Sequence, residues 1–282
     1  MEKIALITDS ASDISKEIVE KYNVQVLPFR IIYSDREYCD GIDIHSKDIY
    51  ETLENNAPTT SLPSMRDMEE LFEKLKAEGY THAIVVTISS KLSGFNNAIK
   101  LMAENYPEIN TFVYDSKSIS KGEEILIKEA ALMIEGGKSF EEITKEMSKI
   151  QERIKIYFVI GTLEYLIRGG RIGKVAGTIA QFLHLKPIVS VDEEGEYYTY
   201  TKVRGRKQSL KKIYDLGIEK LNEKKYEIYL MHGDAEEETR ELADKLSKHE
   251  NAALVNFGGY LSPVSGVHSG PGFIGVLFYE KE

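Results

Sequence analysis

"HAIVVTISSKLSGFNNAIKLMAENY", residues 82–106, holds a strand, a turn and a helix in direct succession. Ala83–Val86 form an apolar run without alternation, the pattern of a strand buried on both faces. Hydroxyl residues and a glycine interrupt the run, and a helical segment starts directly after them. A strand that hands its chain straight to a helix is half of a crossover connection. Repeated along a chain, such halves build a parallel sheet with right-handed crossovers.

The flanking sequence repeats the cycle. Upstream, "KIALITDS" (3–10) is an apolar run that stops at polar residues, and Ile14, Ile18 and Tyr22 then fall on one helical face. Ser12 or Asp13 is the expected N-cap of that helix. "VQVLPFRIIY" (24–33) reads as a second strand, broken or at an edge, because Pro28 has no N–H to give a ladder. A hydroxyl-rich loop, "NNAPTTSLPS" (55–64), leads to a helix with Met68, Leu71, Phe72 and Leu75 inward and Gly79 at its end. Downstream, "TFVYDS" and "GEEILIKEAALMIEGG" repeat strand and helix, and Ser139 with Glu142 forms a capping box before a helix that buries Ile143, Met147, Ile150 and Ile154.

After "KIYFVIG" (155–161) the pattern changes. "KPIVSVDEEGEYYTYTKVRG" (186–205) reads as two strands joined by an acidic glycine turn, hence antiparallel. Next come a helix with Leu210, Ile213, Tyr214 and Leu221 inward, the strand "YEIYLMHGD", an acidic helix and the closing segment "GVHSGPGFIGVLFYE". The expected fold is α/β in two domains, 1–156 with a mostly parallel sheet flanked by helices and 157–282 of mixed α/β character.

Composition removes several function classes. A formal charge of −10 argues against general nucleic-acid binding, which needs clustered cations. Cys39 is the sole cysteine, and the six His residues form no HExxH or HxH pair, so neither a disulfide framework nor a transition-metal site is expected. No run reaches the length of a membrane span and the N-terminus lacks signal-peptide character, which together point to the cytoplasm.

The glycine-rich stretch "LIRGGRIGKVAG" (166–177) invites a phosphate-loop reading and fails it. Arg168 stands where the first glycine of a Walker A motif belongs, and Val175 follows Gly173-Lys174 in place of Ser or Thr. Two readings remain: a turn with solvated cations, or a basic surface for a partner's anionic group. Stronger anion chemistry lies in "TISSKLSGFNN", where Ser89, Ser90 and Ser93 precede a helix N-terminus, although the same serines also serve as caps. Thr59, Thr60, Ser61 and Ser64 form a second hydroxyl group, while Arg204 and His268 can each face an anion. Asp9 and Ser10 end the first strand, where α/β proteins bind ligands. The alternative for them is an Asx turn or cap. No GxSxG elbow is present.

Taken in order, "TDSASD", "TTSLPS", "SSKLSG", "DSKSIS", "LIRGGRI", "KPIVSV", "KVRGRKQ" and "HSGPG" resemble the DegV family of bacterial fatty-acid-binding proteins over essentially the whole chain. The resemblance implies a two-domain protein that encloses one long-chain fatty acid between its domains. It also implies the lipid-carrying subunit of an ATP-dependent fatty acid kinase, with no catalytic turnover and no cofactor of its own. The family's carboxylate contacts fall on Thr60 or its neighbour Ser61, and on Ser93, Arg204 and His268. Asp9, Ser10, Phe95, Ile179 and Phe182 are candidates to line the pocket.

Some positions depart from the family pattern. Leu62 stands where many members have Gln, Phe95 and Asn96 replace Thr and Tyr, and Ser269 replaces a frequent Thr. Phe95, beside the proposed cradle, bears on which acyl chain fits. The resemblance turns the basic loop into an expected kinase-docking surface of Arg168, Arg171 and Lys174. In "VAGTIAQFLHL", Val175, Ile179, Phe182 and Leu183 share a face suited to core packing or to a lid. The competing reading is an enzyme, either an acyl hydrolase using Ser93 and His268 or a phosphoryl transferase using Asp9.

Overall fold

Strand β1 (Ile4–Asp9) is buried from Ala5 to Asp9, as a two-sided apolar run requires. A 3₁₀ turn over Ser10–Ser12 follows, and helix α1 (Lys16–Tyr22) begins only after Ser15, whose Oγ accepts from the Ile18 amide. The expected caps, Ser12 and Asp13, are taken up by the turn, with Asp13 in the left-handed region at φ 49°. A computed structural model describes residues 2–181 and 185–281. By packing, the chain forms two units, one running to Ile44 and resuming over Thr60–Glu152, the other made of His45–Thr59 and the chain from Arg153 on.

In the first unit β1 is followed by β2 (Gln25–Leu27), β3 (Arg30–Ile32) and β4 (Glu37–Cys39). Pro28 divides the expected second strand in earnest, since β2 pairs parallel with β1 while β3 enters a different sheet. The chain then makes helix α2 (Ser46–Thr52), strand β5 (Thr59–Ser61), α3 (Met65–Ala77), β6 (His82–Thr87), α4 (Phe95–Ala103), β7 (Asn110–Asp115), α5 (Lys121–Glu135) and α6 (Phe140–Glu152). A four-stranded sheet of order β2-β1-β6-β7 is parallel throughout, and a small sheet of order β4-β3-β5 carries the second hydroxyl segment. Met68, Phe72 and Leu75 of α3, and Ile125 to Ile127 of α5, are buried in this unit's core.

The second unit contains β8 (Ile154–Val159), α7 (Glu164–Arg168), β9 (Lys186–Val191), β10 (Tyr197–Val203), α8 (Arg206–Glu223), β11 (Tyr226–Gly233), α9 (Glu236–Leu246), β12 (Ala252–Tyr260), α10 (Pro263–Ser269) and β13 (Phe273–Glu280). Its sheet has the order β10-β9-β8-β13-β11-β12, with β11 and β12 parallel and the other neighbours antiparallel. The β9–β10 hairpin turns at Gly195, φ 85°. Ile213, Leu221, Ile228, Leu230, Val276 and Phe278 centre the core.

The boundary expected near residue 157 falls at Glu152/Arg153, because β8 starts at Ile154 and pairs along its length with β13. Segment 45–59 also joins the second unit. Ser46 Oγ donates to the Leu261 carbonyl at 2.5 Å, the Tyr50 ring packs on Tyr260 at 5.8 Å, and Ile49 is fully buried. The expected apolar face of 175–185 is only partly realised. Gly173–Gln181 is a 3₁₀ segment in which Val175 is buried but Ile179 is exposed, and Phe182 and Leu183 lie outside the described residues. Among the described residues no helix is long and apolar enough to cross a membrane.

Candidate ligand-binding site

The hydroxyl loop "SSKLSG" starts where β6 ends, and Asp9 holds that end in place. Asp9 has no exposed surface; its Oδ2 accepts from the Ile88 amide at 2.8 Å and its Oδ1 from the Ala11 amide at 3.0 Å. Ser89 is buried and accepts from the Leu92 and Ser93 amides through its carbonyl, which folds the loop back toward α4. Ser93 comes to rest at the helix start with 8% exposure, its Oγ accepting from the Phe95 amide at 3.2 Å. An oxygen in that role still has its own hydrogen to donate. Thr60, half-buried, and Ser61, exposed, sit on β5. Leu62, next in sequence, is the nearest group to Gly94, 3.9 Å from where a β-carbon there would stand. Leu62, beside the second hydroxyl segment, thus lies against the start of α4.

Other candidates in this unit also make contacts within it. Ser10 Oγ donates to Asp40 Oδ2 at 2.5 Å and accepts from the Phe29 amide, tying β1 to the neighbouring segment. Phe95 is completely buried, edge-to-face with Phe29 at 5.9 Å. The sequence gives no sign of Glu123, on α5. It is fully buried against Asp9. Burial, followed by the charges of Asp9 and Asp13, pushes its carboxyl well above the usual range, and burial lifts Asp9 to about 7. One proton shared by this pair reconciles two core carboxyls with a low-dielectric site.

In the second unit His268 lies on α10 and is half-buried. Burial, with Arg171 adding positive charge nearby, pushes the imidazole down to about 4, so the ring is neutral at physiological pH. Arg204 is exposed just past β10, before Gly205 at φ 78°. Arg206, another residue the sequence did not single out, pins this corner by donating to the Gly272 carbonyl at 2.6 Å while it pairs with Glu238. The basic loop is locally paired. Arg168 bonds Glu164 at 2.5 Å, Arg171 Nη1 donates to the Gly169 carbonyl at 2.5 Å, and Lys174 meets Asp192 and Glu196. Among the described residues no three His, Cys, Asp or Glu side chains converge as a metal ion would require.

With these groups in place, the family model described as "Uncharacterised protein, DegV family" matches residues 3–281. This chain belongs to the DegV family. A DegV domain-containing protein of Clostridium acetobutylicum is 52% identical over 281 residues, 100% of both chains. A DegV family structure from Thermus thermophilus, described as fatty acid binding, superposes with TM-score 0.90 at 28% identity and covers 99% of this chain and 100% of that one. A stearic acid-binding protein from Eubacterium ventriosum gives TM-score 0.88 at 29% identity, covering 100% and 99%. As in those DegV folds, a parallel sheet flanked by helices is joined to a separate mixed sheet.

Proposed function

We propose that this chain binds one long-chain fatty acid and presents its carboxylate to an ATP-dependent kinase subunit that makes the acyl phosphate. The observation that carries the reading is the full-length likeness to DegV structures described as fatty acid binding. Thr60, Ser61 and Ser93 of the first unit and Arg204 and His268 of the second are the proposed carboxylate partners. A carboxylate taken out of water is costly unless several donors replace its hydration, and hydroxyl, guanidinium and imidazole groups supply them. The acyl chain supplies the drive: about 0.8 kcal/mol per buried methylene gives on the order of 10 kcal/mol for about fifteen of them, before ordering costs. The protein is then a carrier working in the cytoplasm, with Asp9, Ser10, Phe95, Ile179 and Phe182 as proposed lining and no cofactor beyond the lipid.

The test is mass spectrometry of an organic extract of the purified protein. A stoichiometric fatty acid is expected; an empty extract, together with no binding of added stearate, ends the reading. Ser93→Ala is expected to weaken stearate binding by about 1.5–3 kcal/mol, the loss of one hydrogen bond to a charged group. Titration of the variant checks this, and unchanged affinity removes Ser93 from the site.

Arg168, Arg171 and Lys174 are the proposed docking cations for the kinase. Arg168 and Lys174, with side chains 45% and 54% exposed, are the ones to remove first. Arg168→Ala with Lys174→Ala is expected to slow kinase-coupled acyl phosphate formation, more so at low salt, while stearate affinity stays at the parent value. Equal coupled rates for parent and variant would take the loop out of the interface.

A further inference from the structure

The two glycines of "LIRGG" have different reasons to be there. Gly170 sits at φ 70°, a conformation that favours glycine. Gly169 caps α7 at φ −76°, ψ −10°, which any residue adopts. Space is what demands glycine there. A β-carbon at 169 would overlap Nδ1 of His268 and stand 2.8 Å from Cε1, where real β-carbons do not come under 3.0 Å. The relation is reciprocal. Gly270, two residues after His268 and at φ 68°, receives the ring of Tyr165, with Cε2 only 2.5 Å from where a β-carbon would lie. Tyr165 is itself buried, at 6% exposure. Each segment therefore lays a ring on the other's glycine, and Arg171 closes the arrangement through its bond to the Gly169 carbonyl.

We infer that Gly169 and Tyr165 of the basic segment are positioning residues that fix the His268 imidazole for the ligand. The segment is thus the seat of a binding residue as well as a cationic surface, an inference that rests on the fatty-acid reading above. It explains why a chain with no phosphate-loop signature keeps a paired glycine at this point. The neutral state of the ring fits the same picture, since the seat partly buries it and sets Arg171 nearby.

A double-mutant cycle over Gly169→Ala and His268→Ala tests it, read in thermal midpoint and in stearate affinity. Gly169→Ala alone is expected to lower the midpoint and to weaken stearate on the order of tenfold to a hundredfold, matching His268→Ala. In the His268→Ala background the two closest contacts are gone and only the Tyr165 carbonyl, at 3.2 Å, stays near the added carbon, so Gly169→Ala should change either reading little. Gly177→Ala, with nothing within 4 Å of the added carbon, is the matched control and should behave as parent. Additive losses in the double variant, or a Gly169→Ala protein that melts and binds as parent, overturn the proposal. Should Gly169→Ala alone not fold, the double variant decides: its folding with the midpoint of His268→Ala supports the seat, and its failure to fold refutes it. Should parent protein bind no stearate, the fatty-acid reading fails while the midpoint arm still judges the seat.

Discussion

Glu123→Gln is expected to make the protein more stable at pH above about 5, with a gain that grows with pH, by at most about 1.4 kcal/mol per pH unit, until the folded-state carboxyl itself ionises. The reason is burial. Glu123 and Asp9 face each other with no exposed surface, Asp13 and Asp115 add negative charge, and the nearby Lys121 is bonded to Glu124 at 2.7 Å. A folded-state carboxyl raised above its ordinary 4.5 keeps its proton while the unfolded chain gives its own up. The folded state then binds more protons, so stability is full below that value and is lost as pH rises. Gln has the same shape, donates to the Asp9 carboxylate through its amide and has no proton to lose. Urea unfolding of parent and variant at pH 5, 6.5 and 8 checks it. Parallel stability curves would show that Glu123 is ionised in the folded protein and would sink the shared-proton description. Asp9 should keep its two amide bonds in the variant, so the Ser93 loop and stearate affinity should be unaffected.

The second expected effect has the opposite sign. Acidification from about pH 6.5 to about pH 4 should cost the protein about 3 kcal/mol on account of His268 alone. Its folded value of about 4 lies below the ordinary 6.5, because burial and then Arg171 disfavour the imidazolium. Through that window the unfolded chain takes up a proton that the folded one refuses. The stabilisation is therefore complete above the ordinary value and disappears as pH falls through the folded one. His268→Gln, which cannot titrate, should lack this component, and the two urea-derived stability curves should converge at acid pH. A parent and variant that lose stability in parallel would place the ring in water. With Glu123 acting from the alkaline side and His268 from the acid side, maximal stability is expected at mildly acidic pH.

Much of the architecture is legible in the chain because its causes are local. The unbroken apolar runs of β1 and β6, the capping box of Ser139 with Glu142, the break at Pro28 and the turn at Gly195 each follow from neighbours a few residues apart. The order of hydroxyl, guanidinium and imidazole motifs was enough to point to the family. Chemistry that depends on distant partners was not legible. Nothing near Ser46 or Tyr50 in sequence announces that α2 packs with residues 260 and 261, and this assigns segment 45–59 to the second unit. Nothing near Asp9 in sequence announces that its two oxygens accept from the Ala11 and Ile88 amides or that it lies against Glu123.

The alternation of strands and helices, the parallel character of the first sheet, the antiparallel β9–β10 hairpin and the residue types available to hold an anion are all readable along the chain. These rest on periodicity, dihedral preference and charge, which act over a few residues. Which carboxyls lie buried together, and why Gly169 is glycine, depend on the tertiary structure. Burial sets a group's protonation, and excluded volume sets which side chain a position tolerates. Both are fixed by atoms brought together from far along the chain, as His268 is brought onto Gly169.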